Sequence, residues 1–427
     1  MTGRYGLLGE RLTHSFSPFI HAELGSYEYN LFEKKPEELD SFIKGGDFDG
    51  LNVTIPYKKI IVPYCGNLSE TARVTGSVNT VTRLSDGSLY GDNTDFFGFA
   101  YLLKKININP ATGKTIILGN GGSSRTVQAV LKNMNAEELV VVERNGNDNY
   151  ENIEKHRDAQ IIINTTPVGM YPDNGFSPII GFGVFQNCKA VIDLIYNPAR
   201  TELMLQAEER GIINVNGLSM LVSQAKKSAE IFFNASRKNY PSSEPAIQGM
   251  DAGSIPDEKT EEIVLKITKM TRNIILIGMP GCGKSSIGKA LAEKTGRSFA
   301  DTDEWIVKTA GKSIPDILVQ DGENTFRMLE IDSIKALCKE RSLIIATGGG
   351  IVKRNENRRV LGQNGIIVYL DRDIADLPVT GRPLSEKEGL KALAAARLPL
   401  YKEWCEYTVP VRGVEQTTEA LYLKFFV

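Results

Sequence analysis

Short apolar runs alternate with amphipathic stretches along most of the chain. In the first half KTIILG (114–119) precedes TVQAVLKNM (126–134), and in the second half NIILIG (273–278) precedes SSIGKALAEKT (285–295). Apolar runs that end at a glycine are typical of buried strands, and the stretches that follow have helical spacing. The alternation predicts βαβ units with parallel sheets, and therefore an α/β fold in both halves.

The alternation is interrupted by a segment rich in Pro, Ser, Gly and acidic residues. Residues 237–262 (RKNYPSSEPAIQGMDAGSIPDEKTEE) lack apolar periodicity, which is typical of a linker. The pattern of 259–270 is compatible with a short helix before the next strand. A chain of 427 residues is long enough for two or three domains, and we place the main division in this segment.

The composition excludes some function classes without choosing among the others. The net charge of −2 provides no basic field for nucleic acid or an anionic membrane. No apolar run approaches the ~20 residues of a membrane span, and the first residues lack the apolar core of a signal peptide. The five cysteines form no CxxC pair and there are only three histidines, which argues against zinc. We therefore expect a cytoplasmic protein with no nucleic-acid or membrane partner.

The second half opens with a phosphate-binding motif. GMPGCGKSS (278–286) fits G-x-x-x-x-G-K-[ST], and it stands between an apolar run and a helical pattern, as a P-loop does. The loop N–H groups and the helix N-terminus would hold phosphates, Lys284 would reach the β- and γ-phosphates, and Ser285 would bind Mg²⁺. The predicted ATP-binding residues of the loop are Gly281, Cys282, Gly283, Lys284, Ser285 and Ser286.

Further along, charged residues and glycines follow the predicted strands. Asp301 and Asp303 end one strand, where one carboxylate can lie near Mg²⁺ and the other can bind an acceptor hydroxyl. Arg327 and Glu330 have i, i+3 spacing on a helix, and glycines 348–350 follow another strand. Two further arginines, Arg382 and Arg397, lie downstream. Each of these residues alone is more often structural, so the functional interpretation depends on all of them occurring in this order.

This ordered set resembles shikimate kinase from about residue 272 to at least 411. The resemblance implies that Asp303, Arg327, Gly349, Gly350 and Arg397 bind shikimate. It also implies catalytic roles for Lys284 and Asp303, with Asp303 at the hydroxyl that is phosphorylated, and a metal site at Ser285 and Asp301. Arg382 would belong to the mobile lid and approach the phosphates of ATP. The family usually has another lid arginine, which 373–381 lacks, so nucleotide affinity or turnover is expected to be weakened.

The first half carries hydrogen-bonding residues suited to a polyhydroxylated acid. They are Ser15, Ser17, Thr54, Asn79 and Asp95, with an amine at Lys58. Lys58 and Asp95 could form a proton-transfer pair around a carbonyl or alcohol. Turns and helix caps are the alternative explanation for such residues.

A glycine turn in LGNGGSSR (118–125) joins a predicted strand to a predicted helix. It is an imperfect G-x-G-x-x-G in which Ser124 takes the third glycine position, so it is a weak dinucleotide signal supported by its context. The next strand ends near Glu143 and Arg144, where ribose recognition is expected.

Together these stretches resemble shikimate dehydrogenase over residues 5–233. The resemblance implies that Lys58 and Asp95 are the catalytic pair, and that shikimate is bound by Ser15, Ser17, Thr54, Asn79, Asp95 and Gln224. The cofactor-binding residues that follow from it and from the glycine turn are Gly119, Asn120, Gly121, Gly122, Ser123, Ser124, Arg125, Glu143, Arg144, Asn145 and Gly217.

Cofactor choice depends on two adjacent residues with opposite effects. An acidic residue at the end of the second strand accepts bonds from the ribose 2′-OH and selects NAD, and Glu143 lies near that place. Arg144 can pair with a 2′-phosphate, and the family mostly uses NADP. We therefore expect NADP(H), with NAD(H) as the alternative.

The sequence thus predicts a bifunctional enzyme: a two-lobed dehydrogenase with a Rossmann-type cofactor lobe, linked to a P-loop α/β kinase domain. It would reduce 3-dehydroshikimate to shikimate and then phosphorylate shikimate with ATP and Mg²⁺. The predicted domains are a catalytic lobe at 1–100, a cofactor lobe at 101–236 whose last helices can return to the first lobe, a linker at 237–270 and a kinase domain at 271–427. The alternative is an active dehydrogenase half, for shikimate or quinate, with a degenerate kinase half. The oligomeric state is left open.

Overall fold

The computed structural model describes residues 4–12, 15–236, 254–377 and 389–427. These residues form two compact units. The first comprises Met1–Pro167, Pro178–Tyr196 and Gln206–Lys266, and the second Val168–Ser177, Asn197–Leu205 and Ile267–Val427. None of the helices in the described ranges has the length and apolar content that crossing a membrane requires.

The first unit begins with a mixed sheet. Its elements are β1 (Tyr5–Gly9), α1 (Ser17–Leu24), β2 (Tyr29–Glu33), α2 (Pro36–Gly45), β3 (Gly50–Val53), β4 (Asn67–Leu68), α3 (Glu70–Thr75), β5 (Thr80–Arg83) and β6 (Leu89–Asp92). The strand order is β2-β1-β3-β5-β6-β4. β1 pairs in parallel with β2 and β3, whereas β5 is antiparallel to β3 and β6. The ends of β1 and β3 therefore lie side by side.

The second sheet of this unit is parallel throughout. Its elements are α4 (Thr94–Lys105), β7 (Lys114–Leu118), α5 (Gly122–Asn133), β8 (Glu138–Val142), β9 (Ile161–Asn164), β10 (Ala190–Asp193), α6 (Glu202–Glu208), β11 (Ile213–Asn216) and α7 (Leu218–Ser236). The strand order β11-β10-β9-β7-β8 places β7 inside the sheet, so the turn after β7 opens at its carboxyl edge. This is where doubly wound sheets bind ligands.

The last helix of the first unit packs on its first lobe. α7 contacts α1, α4 and β5. Ser228 on α7 bonds Asn52 Nδ2 at 2.8 Å and Thr80 Oγ1 at 2.7 Å. These buried hydrogen bonds fix α7 beside the mixed sheet, and they bring Gln224, one turn earlier on the same helix, toward that lobe.

The second unit is built on a five-stranded parallel sheet. Its elements are α8 (Asp257–Thr271), which begins in the first unit, then β12 (Asn273–Ile277), α9 (Lys284–Thr295), β13 (Ser298–Asp301), α10 (Thr302–Ala310), α11 (Ile314–Gln320), α12 (Gly322–Leu337), β14 (Leu343–Ala346), α13 (Asn355–Asn364), β15 (Gly365–Asp371), α14 (Leu390–Trp404), β16 (Tyr407–Pro410) and α15 (Val414–Phe425). The order β13-β14-β12-β15-β16 puts the P-loop strand β12 at the centre. The α/β fold predicted for both halves is confirmed.

Two short segments predicted to lie in the cofactor lobe group with the second unit instead. Arg200 Nε donates to Gly362 O at 2.6 Å and Arg200 Nη2 to Gly365 O at 3.2 Å, at the carboxyl end of α13. Gln363 Nε2 donates to Asn174 O at 2.9 Å. A cationic side chain at a helix C-terminus donates hydrogen bonds to the free carbonyls and interacts favourably with the helix dipole. These bonds explain why 168–177 and 197–205 differ from the predicted division.

The described part of the predicted linker is helical. Residues 237–253 lie outside the described ranges, but α8 follows from Asp257. Its start is held within the first unit, because Lys226 Nζ donates to Asp257 Oδ1 at 2.6 Å and to Ile255 O at 2.8 Å. Lys266 Nζ also pairs with Glu23 at 2.7 Å. This end of the predicted linker is therefore packed and is not a free tether.

We expect Asp257→Ala to destabilise the start of α8. Lys226 is only 3% exposed, so its ammonium would lose a charge-assisted partner. Because Asp257 itself is half exposed, we expect a loss of about 1 kcal/mol in the opening free energy of α8. Hydrogen exchange of the α8 amides measures it. Glu258→Ala, at an exposed neighbouring carboxylate, is the control, and equal protection in the two variants would contradict the role of Asp257.

Candidate active sites

A cavity of about 460 Å³ in the first unit collects the predicted substrate residues. It is lined by Ser15, Ser17, Thr54, Lys58, Asn79, Asp95 and Gln224. Ser15 and Ser17 follow β1, Thr54 follows β3, and Asp95 lies in the first turn of α4. Because β1 and β3 are parallel neighbours, the residues beyond their ends meet at one place.

Lys58 and Asp95 form the charged pair of this cavity. Lys58 Nζ lies 2.6 Å from Asp95 Oδ2, and both side chains are partly buried. The ammonium carries a transferable proton and the carboxylate holds it in position. The sequence predicted the two residues as a pair, although they lie 37 positions apart.

The amide residues of the cavity are fixed by hydrogen bonds. Asn79 Oδ1 accepts from the backbone N–H of Thr94 at 2.7 Å, and Asn79 Nδ2 donates to Gln224 Oε1 at 3.4 Å. Asn79 is buried, so these bonds leave it little freedom. The cavity is therefore pre-formed on the side of Asn79 and Gln224.

A buried histidine supports the floor of the cavity without taking part in proton transfer. The ring of His21 stacks on Tyr29 at a centroid distance of 3.9 Å, and Tyr29 OH donates to Asn52 Oδ1, which lines the cavity side of β3, at 2.7 Å. Burial lowers the pKa of His21 to about 3. His21 is therefore neutral near pH 7.

The predicted glycine turn joins β7 to α5. Gly119 has φ +97°, and a Cβ there would lie 2.8 Å from Thr166 Cγ2, so the turn requires glycine. Asn120, Gly121, Gly122 and Ser123 are exposed at the start of α5, whereas Ser124 is fully buried. Gln128 Nε2 donates to Ser124 Oγ at 3.1 Å. The side chain of Ser124 therefore packs beneath the turn, only its backbone could face a cofactor, and its role in cofactor binding stays a prediction.

The residues predicted to recognise the ribose of the cofactor lie beyond β8. Glu143 Oε2 accepts from Asn120 Nδ2 at 2.8 Å, so its carboxylate is engaged by the glycine turn. Arg144 and Asn145 are exposed beside it, and Arg125 is exposed on the first turn of α5. Arg125 and Arg144 are therefore exposed, while the carboxylate of Glu143 already accepts a hydrogen bond from Asn120.

Some lining residues were not predicted as substrate ligands. Ser123 and Gly217, predicted for the cofactor, line the substrate cavity, and so do Arg11 and Tyr196. Tyr196 follows β10 by three positions, and Arg11 follows β1 by two. Position just beyond a parallel strand was the signal that could have identified both.

A cavity of about 810 Å³ in the second unit collects the predicted nucleotide and shikimate residues of the kinase half. The predicted residues that line it are Gly281, Gly283, Lys284, Ser285, Ser286, Asp301, Asp303, Arg327, Gly349, Gly350 and Arg397. Cys282 is fully buried and its side chain lies under the loop, so only its backbone could face a phosphate. Arg382 lies outside the described residues.

The P-loop holds its lysine against its own backbone. Lys284 Nζ donates to Gly278 O at 2.9 Å and to Met279 O at 3.0 Å. Both are weak acceptors compared with a phosphate oxygen, which forms charge-assisted bonds. A bound phosphate would therefore compete well for this ammonium.

The two residues predicted to hold the metal are in contact. Ser285 Oγ donates to Asp301 Oδ2 at 2.6 Å. A hydroxyl and a carboxylate are the hard oxygen ligands that Mg²⁺ prefers. In the described ranges no cluster of three His, Cys, Asp or Glu residues could hold a metal ion. Ser285 and Asp301 therefore fit a Mg²⁺ ion that takes its other ligands from phosphates and water.

Asp303 is a buried carboxylate with a perturbed titration. Burial, and then the negative charges of Asp301 and Glu330, raise the pKa of Asp303 to about 6. A Cβ on Gly348 would lie 2.8 Å from Asp303 Oδ1 and 3.0 Å from Glu330 Oε1. The two carboxylates therefore approach the same point, and Asp303 is poised to accept a proton near neutral pH.

Two buried arginines flank the glycines after β14. Arg327 is held by Glu330 and, at 2.9 Å, by Glu323. Arg397 Nη1 donates to Gly349 O at 3.1 Å, and a Cβ on Gly350 would lie 2.3 Å from Arg327 Nη1. Two guanidinium groups around one backbone segment form a site for a carboxylate. Arg372, which directly follows β15, also lines this cavity and was not predicted.

Two family models match the chain. The shikimate kinase model matches residues 280–424, and the model of the shikimate dehydrogenase substrate binding domain matches residues 7–81. The first match contains most of the second cavity, and the second match contains Ser15, Ser17, Thr54, Lys58 and Asn79 of the first cavity.

Relatives cover the first half of the chain. The NADP-dependent shikimate dehydrogenase of Clostridium perfringens (strain 13 / Type A) is 34% identical over 249 residues, which is 53% of this chain and 91% of the relative. Among solved structures, a chorismate mutase/shikimate 5-dehydrogenase fusion protein from Clostridium acetobutylicum is 35% identical with a TM-score of 0.55, covering 62% of this chain and 97% of that one. Shikimate 5-dehydrogenase from Listeria monocytogenes, in complex with shikimate and NAD, is 26% identical with a TM-score of 0.54, covering 62% and 96%.

Proposed function

This chain belongs to the shikimate dehydrogenase family and carries a shikimate kinase domain in its second half, and we propose that it catalyses two successive reactions. The first cavity reduces 3-dehydroshikimate to shikimate, and the second transfers a phosphoryl group to the 3-hydroxyl of shikimate. The observation that carries the proposal is convergence: the predicted catalytic pair and substrate ligands of each half line one cavity.

In the first reaction the chain supplies the proton and the orientation. NADPH supplies the hydride when it is bound. Lys58 donates a proton to the carbonyl oxygen of 3-dehydroshikimate as that oxygen becomes a hydroxyl, and it accepts the proton in the reverse reaction. Asp95, 2.6 Å from Lys58 Nζ, holds the ammonium in position beside the cavity. Asn79 and Gln224, fixed by their mutual hydrogen bond, bind ring hydroxyls.

In the second reaction the chain positions an acceptor hydroxyl and balances charge. ATP supplies the phosphoryl group. Asp303 accepts the proton of the acceptor hydroxyl, while Arg327 and Arg397 hold the carboxylate of shikimate. Lys284 moves from its loop carbonyls to the phosphates and stabilises their charge in the transition state.

Magnesium fits the pair formed by Ser285 and Asp301. When bound, Mg²⁺ neutralises part of the phosphate charge. Ser285 Oγ and the Asp301 carboxylate, 2.6 Å apart, would hold it directly or through a water. The chelator EDTA should therefore stop ADP release and leave NADPH oxidation unchanged.

Two assays on the purified full chain test the proposal. NADPH oxidation is followed with 3-dehydroshikimate or with 3-dehydroquinate, and single-turnover phosphoryl transfer from ATP is followed with shikimate or with quinate. We expect reduction of 3-dehydroshikimate and phosphorylation of shikimate. Preference for the quinate series would contradict the substrate assignment, and binding of ATP without phosphoryl transfer would favour the degenerate-kinase alternative.

The cofactor preference is expected to favour NADPH by a narrow margin. Arg144 and Arg125 are exposed where a 2′-phosphate would lie, while Glu143 repels that phosphate although Asn120 engages its carboxylate. We expect Arg144→Ala to lower the NADPH/NADH ratio of kcat/KM about 10-fold, through loss of a charge-assisted bond. Glu143→Asn should raise the ratio.

Lys132→Ala, at an exposed lysine in the last turn of α5, is the control for charge alone and should leave the ratio unchanged. A wild-type preference for NADH that Arg144→Ala does not alter would identify Glu143 as the selector and contradict the NADPH assignment.

A further inference from the structure

Among the described residues, three charged ones line the substrate cavity of the first unit: Arg11, Lys58 and Asp95. Lys58 and Asp95 neutralise each other at 2.6 Å. Arg11 forms no hydrogen bond or ion pair with any residue in the described ranges, and its side chain is exposed at the cavity. The cavity wall therefore carries one uncompensated positive charge, and Arg11 provides it.

The backbone beside Arg11 is fixed at Leu12 by hydrogen bonds. The N–H of Leu12 donates to Glu33 Oε1 at 2.7 Å, and Leu12 is buried. The N–H of Ser15 donates to Leu12 O at 3.3 Å, and the N–H of Ser17 donates to Ser15 Oγ at 3.1 Å. These bonds anchor the chain directly after Arg11 and hold both serines on the same loop.

The substrate of the proposed reduction is a monoanion, and its charge requires donors. Lys58 and Asp95 are committed to the reacting carbonyl, and Asn79 and Gln224 are neutral amides. Among the described residues of the loop after β1, the side-chain donors that remain are the two serine hydroxyls and the guanidinium of Arg11, and Tyr196, which also lines the cavity, adds a neutral hydroxyl. A neutral hydroxyl can bond a carboxylate, and a cation adds a charge-assisted hydrogen bond that is roughly twice as strong.

We propose that Arg11 is a specificity-determining residue of the dehydrogenase site, which pairs with the carboxylate of the substrate and selects the acid over uncharged analogues. The inference rests on the proposed function and adds a residue to it. Arg11 orients the ring by its carboxylate on C1, while Lys58 meets the reacting oxygen on C3. Its charge also attracts anionic substrate into the cavity, an effect that salt weakens.

The test compares a charged and an uncharged substrate in the oxidation direction. The substrates are shikimate and its methyl ester, each with NADP⁺, and the variants are Arg11→Gln and Arg11→Lys. Arg73→Gln is the control, because Arg73 is an exposed arginine of the same unit that does not line the cavity. For Arg11→Gln we expect kcat/KM for shikimate to fall about 10-fold, mainly through KM.

The same variant should change kcat/KM for methyl shikimate less than about two-fold, because the ester has no carboxylate charge to pair. Arg11→Lys should keep most of the activity on shikimate, and Arg73→Gln all of it. Equal losses on both substrates, a raised KM for NADP⁺ alone, or no loss on shikimate would each overturn the assignment.

Failure of the proposed function would look different from failure of this inference. A wild-type chain that oxidises neither substrate would contradict the proposed function. Calorimetric binding of shikimate to the wild-type chain and to Arg11→Gln would still decide the role of Arg11. Equal dissociation constants would overturn that role, and about 10-fold weaker binding by the variant would support it.

Discussion

Replacing Lys58 by methionine is expected to lower kcat for the reduction of 3-dehydroshikimate by about 10²- to 10⁴-fold, the usual contribution of a positioned acid–base group. Methionine keeps the unbranched shape of the side chain but carries no proton to give. Lys58 is also the only amine among the residues that line the cavity in the described ranges, so no neighbouring lysine can replace it. The kinase reaction of the same variant should keep its wild-type rate.

The initial rate of NADPH oxidation at saturating 3-dehydroshikimate measures this effect. Lys59→Met is the control, since Lys59 is exposed and does not line the cavity. If Lys58→Met turns over at a rate near that of Lys59→Met, then Lys58 is not the proton donor, and the mechanism given for the first cavity is wrong.

Asp303→Asn is expected to lower phosphoryl transfer to shikimate by about 10²- to 10⁴-fold. Asparagine has the same shape but cannot accept the proton of the acceptor hydroxyl. The unprotonated carboxylate is the active form in this account. Because the pKa of Asp303 is raised to about 6, kcat/KM for shikimate in the wild-type chain should fall as the pH drops below about 6.

Single-turnover phosphoryl transfer and a pH profile of the kinase reaction measure these effects. Asp332→Asn, at an exposed carboxylate of α12, should leave both unchanged. A wild-type profile that is flat from pH 7 to pH 5, together with an active Asp303→Asn variant, would remove Asp303 from proton transfer. A flat profile with an inactive variant would leave it a role in positioning alone.

The substrate residues predicted from the sequence all line one of the two cavities. The P-loop, Asp301, Asp303 and the arginines were identified because each follows an apolar strand or has helical spacing, and parallel strands bring such positions to one edge of the sheet. The Lys58–Asp95 pair was identified by resemblance. The 2.6 Å contact joins residues 37 positions apart, and no local pattern encodes it.

Burial was the quantity that the sequence could not provide. Ser124 stands at a loop position but turns beneath it, and Cys282 lies under the P-loop. Arg11 looked like an ordinary charged residue near the start of the chain, and its place on the cavity wall follows only from the fold. The packing of α8 in the first unit was also not predicted. An acidic, Pro-rich segment is typical of a linker, and only the fold shows that Asp257 accepts a hydrogen bond from Lys226.

One reaction mixture tests most directly the claim that a single chain performs both steps. The purified full chain is given 3-dehydroshikimate, NADPH, ATP and Mg²⁺, and the products are followed by mass spectrometry together with NADPH oxidation and ADP release. The account predicts shikimate 3-phosphate, with one ADP released for each NADPH oxidised once the intermediate shikimate has been used. Two results would contradict the claim that one chain performs both steps. One is accumulation of shikimate with no ADP release, and the other is release of ADP from ATP only when shikimate is added, with no oxidation of NADPH.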